Sequence, residues 1–474
     1  MSKNKNPNQK RRGPAAAEGR SGALAGSASA SGGSNPIAEF FASKSIRETI
    51  ESVAIAFVLA FLFRTFEAEA FVIPTGSMAH TLMGQHKDVQ CEQCGYAHTA
   101  GASESQIDGN PVVGTVCPMC RYANLFAADD RNHIDHSGDR IIVSKFIYDL
   151  QEPQRWDVIV FKFPYNAKQN YIKRLVGLPN ESIRLVHGDV WTKPKDAPDS
   201  AFRIARKPPA KVLSMQQCVH DTNFTPAALV KNNRWPPRWN PAPGASGAGW
   251  TRDDQPTTVN KRELIRSTFN AAGDAAGPSW IRYRHVTPNV GMDWPRAPSF
   301  EAADPPARLI TDFYSYNASI HASEIMEERG TDDWRLTNSW HEKSDGSNWV
   351  GDLTLECDVE VKSEAGLLLL ELVKAGCHYR CAIDVKSGEA LLSIVDVDGA
   401  AHGFSADDAP GETAAEVHGA TAVRGPGSYK LRLSNFDQQL LLWVNDSVVA
   451  FDGPTTYMPD RHSPAWNDED DGDL

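Results

Sequence analysis

Two sets of residues in this chain could do chemistry. The first centres on Ser77, in the run Phe71-Val72-Ile73-Pro74-Thr75-Gly76-Ser77-Met78. A serine hydroxyl is a poor nucleophile until a base takes its proton. Histidine is the usual base, but a neutral amine can serve. Lys173 is the candidate, because it stands on an apolar strand between Ile172 and the pair Leu175-Val176. Burial in an apolar site disfavours the ammonium cation and would lower its pKa. Taken alone, these residues are weak signals, since Gly-Ser is common in loops and most strand lysines are solvated. The second set is Cys91-x2-Cys94 and Cys117-x2-Cys120, separated by twenty-two residues. Four thiolates in this spacing favour a closed, tetrahedral, structural Zn²⁺ site. Metal binding would then be coupled to folding of the segment that carries them. Two disulfides are the competing arrangement, and redox chemistry at one CxxC pair is a third. His86, His98 and His133 stand nearby and are not expected as ligands.

The elements that must position these groups follow from pattern. A helix is expected from near Ser45, and the run Ile50 to Phe66 is apolar beyond its first turn. It sits at the short end of what spans a bilayer, roughly 17–25 residues. A buried soluble helix and a cleaved signal peptide are the alternatives. The strand signals begin at Phe71. Arg140-Ile-Ile-Val, Asp157-Val-Ile-Val-Phe, Tyr171-Ile-Lys-Arg-Leu-Val and Ser182-Ile-Arg-Leu-Val are short β-branched or aromatic runs. The cysteine pairs lie in an insert, residues 86–135, within this β domain of residues 67–193. Residues 194–330 are rich in Pro and Trp and read as irregular. From 331 to 458 alternation returns, as in Leu353-Thr-Leu-Glu-Cys-Asp-Val-Glu-Val, and suggests a β-sandwich of the jelly-roll kind. The fold class is therefore mainly β behind one N-terminal transmembrane helix.

Composition narrows the function. The chain has 474 residues and a net charge of −12, which argues against general nucleic-acid binding. Residues 1–44 are basic and poor in large apolar residues, so disorder is expected there. An acidic tail, 459–474, closes the chain. The other cysteines, Cys218, Cys357, Cys377 and Cys381, are expected to be buried and inert. A bridge from Cys357 to Cys377 or Cys381 stays open.

Residues 48 to about 192 resemble the type I signal peptidases, a family of Ser/Lys serine endopeptidases. The resemblance rests on ordered blocks. An apolar helix precedes Ile73-Pro74-Thr75-Gly76-Ser77-Met78. Then come Gly138-Asp139-Arg140-Ile-Ile-Val-Ser-Lys145 and Arg155-Trp156-Asp157-Val-Ile-Val-Phe161. Last is Tyr171-Ile172-Lys173-Arg174-Leu-Val-Gly177-Leu178-Pro179. The resemblance implies Ser77 as nucleophile, Lys173 as base, and Thr75 as partner of the Ser77 N–H in an oxyanion hole. It also implies that Phe71, Ile73, Pro74, Met78, Leu82, Tyr171 and Ile172 line shallow pockets for small side chains, with core packing as the alternative. The implied substrates are secretory preproteins with A-x-A-like sites. Membrane lipid and the secretion translocon are the other implied partners, and no cofactor is needed for catalysis. The basic N-terminus would lie in the cytoplasm and the rest outside a bacterial inner membrane.

Two departures from the family pattern stand out. His80 replaces a proline, and reads as a surface histidine. The family's last block, of the form Gly-Asp-Asn…Ser…Asp-Ser-Arg, is not found after Glu181, and Asn445-Asp446-Ser447 is a poor substitute. A catalytically impaired, membrane-anchored binding protein is therefore the second reading. A self-cleaving repressor-type protein is a third, disfavoured by the helix and the lack of a DNA-binding helix pair. Trp349 and Trp443 could stack on sugars, though core packing is the plainer expectation.

Overall fold

The structure is a computed structural model that describes residues 44–103, 109–232, 235–242, 249–273, 277–288, 307–327, 334–336, 346–396, 398–406, 413–458, 462–465 and 473. The expected disorder of the basic N-terminus falls on residues outside this set, as does most of the acidic tail. The chain divides into two units, Met1–Glu67 and Ala68–Leu474.

In the first unit, helix α1 (Lys44–Leu62) continues as a π-helical turn, Phe63–Glu67. It contains no Gly or Pro, and alanine and leucine favour the helix. The segment Ile46–Glu67, 22 residues, is long and apolar enough to cross a membrane. At 1.5 Å per residue it spans about 33 Å, enough for a bilayer core of about 30 Å. From Val53 to Phe63 its side chains are apolar all round and uncovered: Phe57 and Phe61 are 63% and 69% exposed.

The second unit is β-rich from its first residue. Strand β1 (Ala68–Val72) leads to the Ser77 turn. Two hairpins follow, β2 (His86–Gln90) with β3 (Ala97–Gly101), and β4 (Val112–Val116) with β5 (Ala123–Leu125). Each carries one CxxC pair at its tip. Strand β6 (Arg140–Ser144) returns to pair antiparallel with β1, setting Phe71 against Ile141 and Val72 against Arg140. Strands β7 (Val158–Phe163) and β8 (Asn166–Arg174) form the next hairpin, with Ile159 opposite Lys173. Strands β9 (Glu181–Val186) and β10 (Asp189–Pro194) form another.

The region 194–330 is not irregular throughout. It holds a long hairpin in which Trp250–Val259 pairs with Arg262–Ala271, residue for residue. Most of its side chains are exposed, so its strands show no apolar alternation to read. Downstream, Leu353–Val361, Gly427–Phe436, Gln439–Val444 and Ser447–Val448 form a four-stranded antiparallel sheet. A second sheet is built on Leu367–Lys374, Cys377–Asp384 and Glu389–Val395. The two sheets share one core. Leu431, Leu433, Leu440 and Leu442 of the first pack with Leu370, Tyr379, Cys381, Ile383 and Leu392 of the second. Trp443 is also buried, at 2% exposure, so it offers no stacking surface. Cys377 and Cys381 are buried as expected, but Cys218 is exposed and Cys357 half-buried, and none is bridged. Cys218 stands just before the 3₁₀ turn capped by Asp221.

A buried polar cluster ties residues 189–207 to this double sheet. The Asp437 carboxylate pairs with the Lys207 ammonium and accepts from the Lys207 backbone N–H at 2.8 Å. Arg206 donates to the Asp437 carbonyl at 2.9 Å, and Lys374 donates to Asp352 at 2.6 Å. Asp189 faces the pair, accepting only a 3.4 Å bond from Gln438 among the described contacts. Burial, aided by the nearby Asp352 carboxylate, raises Asp189 to about 6. The folded state thus holds this proton more tightly than the unfolded chain, whose carboxyl titrates near 4. Its contribution to stability is full below about pH 4 and is lost as pH rises through about 6. Asp189→Asn keeps an acceptor for Gln438. It is expected to raise the urea midpoint at pH 7.5, with a smaller gap to wild type at pH 5.

Candidate active site

Ser77 sits in a single 3₁₀ turn, Gly76–Met78, that follows β1. The turn is held from several sides by backbone. Ile73 N–H donates to the Asp139 carbonyl at 2.9 Å, and the Asp139 carboxylate accepts from Met83 N–H at 2.7 Å. Gln85 N–H donates to the Pro74 carbonyl at 3.3 Å. These bonds need close approach. A Cβ on Gly138 would stand 2.0 Å from the Ile73 oxygen, and Gly138 has φ +85°. A Cβ on Gly84 would stand 2.2 Å from the Thr75 carbonyl carbon. The Gly138-Asp139 block is therefore the clamp of the serine turn. Gly138→Ala is expected to cost about 2 kcal/mol or more, from the φ strain and the overlap together. A shift of the denaturation midpoint measures it.

Lys173 is delivered by β8, and the Arg155-Trp156-Asp157 block holds that strand's end. Trp156 N–H donates to the Leu175 carbonyl at 2.7 Å, and Leu175 N–H donates to Asp157 at 2.8 Å. Arg155 pairs with Glu181 and donates to the Val176 carbonyl. Trp156 is 4% exposed and takes φ +74°, which is rare for a bulky residue. Its carbonyl accepts from Arg174 at 3.0 Å, and its indole N–H donates to Arg206 at 3.0 Å. Arg174 also reaches Thr81 at 3.3 Å, joining the lysine strand to the serine segment.

The two candidate groups meet. Lys173 Nζ lies 2.6 Å from Ser77 Oγ and 3.0 Å from the Ile172 carbonyl. This is the reach a general base needs. The expected apolar niche is absent, however, because Lys173 is exposed, as are Ser77 and Thr75. The β7–β8 hairpin is open along most of its length, and among the described residues no second layer covers the amine. The residues expected to line pockets separate into groups. Ile73 and Met78 are buried, at 2% and 7% exposure. Pro74 is exposed, and Phe71, Leu82, Tyr171 and Ile172 are half-buried. Tyr171 stacks on Phe163 with centroids 4.6 Å apart, and Lys173 Nζ lies 5.5 Å from its ring. His80 is not a surface residue. It is half-buried, packs edge-on against Tyr314 at 5.8 Å, and burial holds its imidazole below the ordinary range. Asn445-Asp446-Ser447 forms the turn of the last hairpin of the C-terminal sheet.

The four cysteines converge and are buried. Cys91 Sγ is 3.6 Å from Cys120 Sγ, and Cys94 Sγ is 3.5 Å from Cys117 Sγ. All four sulfurs lie within 4.8 Å of one another. A disulfide would need about 2.05 Å. Bonds of about 2.3 Å to a tetrahedral zinc would instead set the sulfurs about 3.8 Å apart. The separations suit the second arrangement. Burial pushes the Cys117 and Cys120 thiols up, while at Cys91 burial is outweighed by hydrogen bonds from the neighbouring thiols, which hold it down, so the cluster does not favour the thiolate at every sulfur by itself. His86 is taken up by the Gly84 carbonyl and by stacking on His136, and His133 by Asp130. His98 is buried and directs Nδ1 to the Tyr96 carbonyl.

Comparison with known proteins adds to this geometry. Residues 132–232 match the family described as "Signal peptidase, peptidase S26". That stretch contains Lys173 and not Ser77. The chain is 42% identical over 59 residues to a signal peptidase I of Pseudomonas aeruginosa, covering 10% of this chain and 21% of that one. It is 26% identical over 156 residues to one from Buchnera aphidicola, covering 30% and 33%. To one from Rickettsia bellii it is 25% identical over 148 residues, covering 31% and 40%. The chain thus spans between a fifth and two-fifths of the length of these relatives. No solved structure matches it. The family match is therefore carried by residues 132–232, which include the block around the lysine.

Proposed function

We propose that this protein is a membrane-bound serine endopeptidase that removes signal peptides from secretory preproteins with a Ser77/Lys173 dyad. The observation that carries the reading is the 2.6 Å approach of Lys173 Nζ to Ser77 Oγ. Lys173 in its neutral form takes the proton as Ser77 Oγ attacks the scissile carbonyl, then returns it to the leaving amine. The Ser77 N–H and the Thr75 hydroxyl receive the developing oxyanion, a contribution of about 3–4 kcal/mol per donor. The half-buried Phe71, Leu82, Tyr171 and Ile172 bound the substrate cleft, while Ile73 and Met78 support its floor. Helix α1 anchors the chain in the bacterial inner membrane, with the catalytic unit outside and membrane lipid and the translocon as neighbours. The solvent-exposed lysine is desolvated when the preprotein covers it, which also drives water from the dyad.

Cys91, Cys94, Cys117 and Cys120 hold a structural Zn²⁺, which fixes the two hairpins together and takes no part in the chemistry. The paired C-terminal sheets form a jelly-roll-like sandwich. One observation favours the second reading, a binding protein with impaired catalysis. Besides Ser77, Lys173 Nζ is supported in the described contacts only by the Ile172 carbonyl and the Tyr171 ring. The test is direct. The full chain in detergent is mixed with a preprotein carrying an A-x-A site, and the product ends are identified by mass spectrometry. Cleavage after the second alanine supports the peptidase. An intact preprotein, with the protein folded and metal-loaded, favours the binding protein.

A further inference from the structure

The serine turn and the first cysteine hairpin meet on a single side chain that lies outside the signal-peptidase match, and the second hairpin pairs with the strand that follows it. Tyr316 belongs to a 3₁₀ turn, Ser315–Asn317, and is 4% exposed. Its ring fills the space above Gly76, the residue before Ser77. A Cβ on Gly76 would stand 2.2 Å from Tyr316 Cε1 and 2.7 Å from its hydroxyl oxygen. The same ring packs on Gly101, the last residue of β3, where a Cβ would stand 2.7 Å from Cε1. The phenol donates to the Gln85 carbonyl at 3.2 Å, and Ser319 Oγ donates to the Gly101 carbonyl at 2.7 Å. The hairpin bearing Cys91 and Cys94 thus reaches Tyr316 from both of its ends.

The other hairpin reaches it by strand pairing. Ser319–His321 forms the third strand beside β4, setting Ser319 against Thr115 and Ile320 against Gly114. Ile320 is fully buried with Val116 and Ala123, next to the Cys117–Cys120 tip. Two glycines flattened on one aromatic ring leave little freedom for the peptide that carries the nucleophile. Such precision matters, because a displacement of about 1 Å can cost about 100-fold in rate.

We propose that Tyr316 is a positioning residue for Ser77, through which the four-cysteine insert holds the nucleophile in register with Lys173. The inference rests on the Ser77/Lys173 reading, and its test separates the two. The zinc-loaded full chain in detergent is compared with Tyr316→Phe, Tyr316→Leu and Tyr316→Ala. Tyr316→Phe keeps the ring and is expected to stay within about threefold of wild-type kcat, whereas Tyr316→Leu and Tyr316→Ala lose about 30- to 100-fold in kcat at little-changed KM. Zinc content should hold in all three. Hydrogen exchange supplies a readout that needs no activity. Amides of the Pro74–Gln85 segment should exchange at least about tenfold faster in Tyr316→Leu, while those of β7 and β8 keep their protection. Stripping the metal from the wild type should loosen the same Pro74–Gln85 amides. Wild-type kcat together with wild-type turn exchange in Tyr316→Leu would overturn the proposal. Equal cleavage by wild type and Ser77→Ala would sink the dyad instead, and the exchange measurement would still decide the coupling.

Discussion

Ser77→Ala and Lys173→Met are each expected to lower preprotein cleavage by about ten-thousand-fold or more, the scale seen when a nucleophile or its base is removed from a serine hydrolase. If the two side chains act as one unit, the double variant should be scarcely worse than either single one. Lys173→Arg is the sharper control. A guanidinium keeps the positive charge and can reach Ser77, but it does not give up its proton near neutral pH. It should therefore be as inactive as Lys173→Met. Both positions are exposed, so none of these variants should move the melting temperature by more than the small shift of a surface change, about 0.5 kcal/mol in stability. Single-turnover assays with excess enzyme measure the effect. Activity within tenfold of wild type in Lys173→Met would remove the dyad. Thr75→Val tests the oxyanion role and should cost about 100- to 1,000-fold in kcat.

The second large effect lies at the cysteines. Cys91→Ser and Cys117→Ser each remove one of four sulfurs from a buried cluster. Apparent zinc binding is worth on the order of 10 kcal/mol in small metal-folded domains, so loss of the metal should unfold the insert. The damage should spread further than the two hairpins. Cys91, Cys94, Cys117 and Cys120 pack in one core with Leu229, Trp235, Leu264 and Val286, from the segment after the lysine strand. The C-terminal sheets have their own core of Leu431, Leu433 and their partners. Melting should therefore split into an early and a late transition, with zinc released in the early one. A chelator strong enough to strip the wild type should reproduce the split. A single unshifted transition, with zinc retained, would show that the sulfurs hold no structural ion.

The sequence made some of this architecture readable and hid the rest for physical reasons. The runs Arg140-Ile-Ile-Val and Asp157-Val-Ile-Val-Phe announced β6 and β7, since β-branched side chains favour the pleated strand. Leu353–Val361 was legible because one face is buried against the second sheet and alternation survives. The hairpin at Trp250–Ala271 was not, because its faces are mostly exposed and it carries Pro256 opposite Ile265. The approach of Lys173 to Ser77 could be anticipated from ordered blocks. The openness of the lysine could not, since apolar neighbours along a strand say nothing about whether a second layer lies above it. Tyr316 left no local signal at all. Its role comes from glycines 76 and 101 that touch it across the fold, and no spacing rule connects them.

That distance has a consequence for how the protein comes into being. Tyr316 bonds to Gln85 across 231 residues of chain. A ribosome adding about 5–20 residues per second needs about 10–50 s to make that stretch. During this interval Ser77 has been made while the ring that packs on Gly76 has yet to be synthesised. Contacts of such long range also form late, because a large loop must close before they contribute. The Ser77 turn therefore stays without this packing partner long after its own residues are made, and it gains that contact only once the chain has grown past Tyr316.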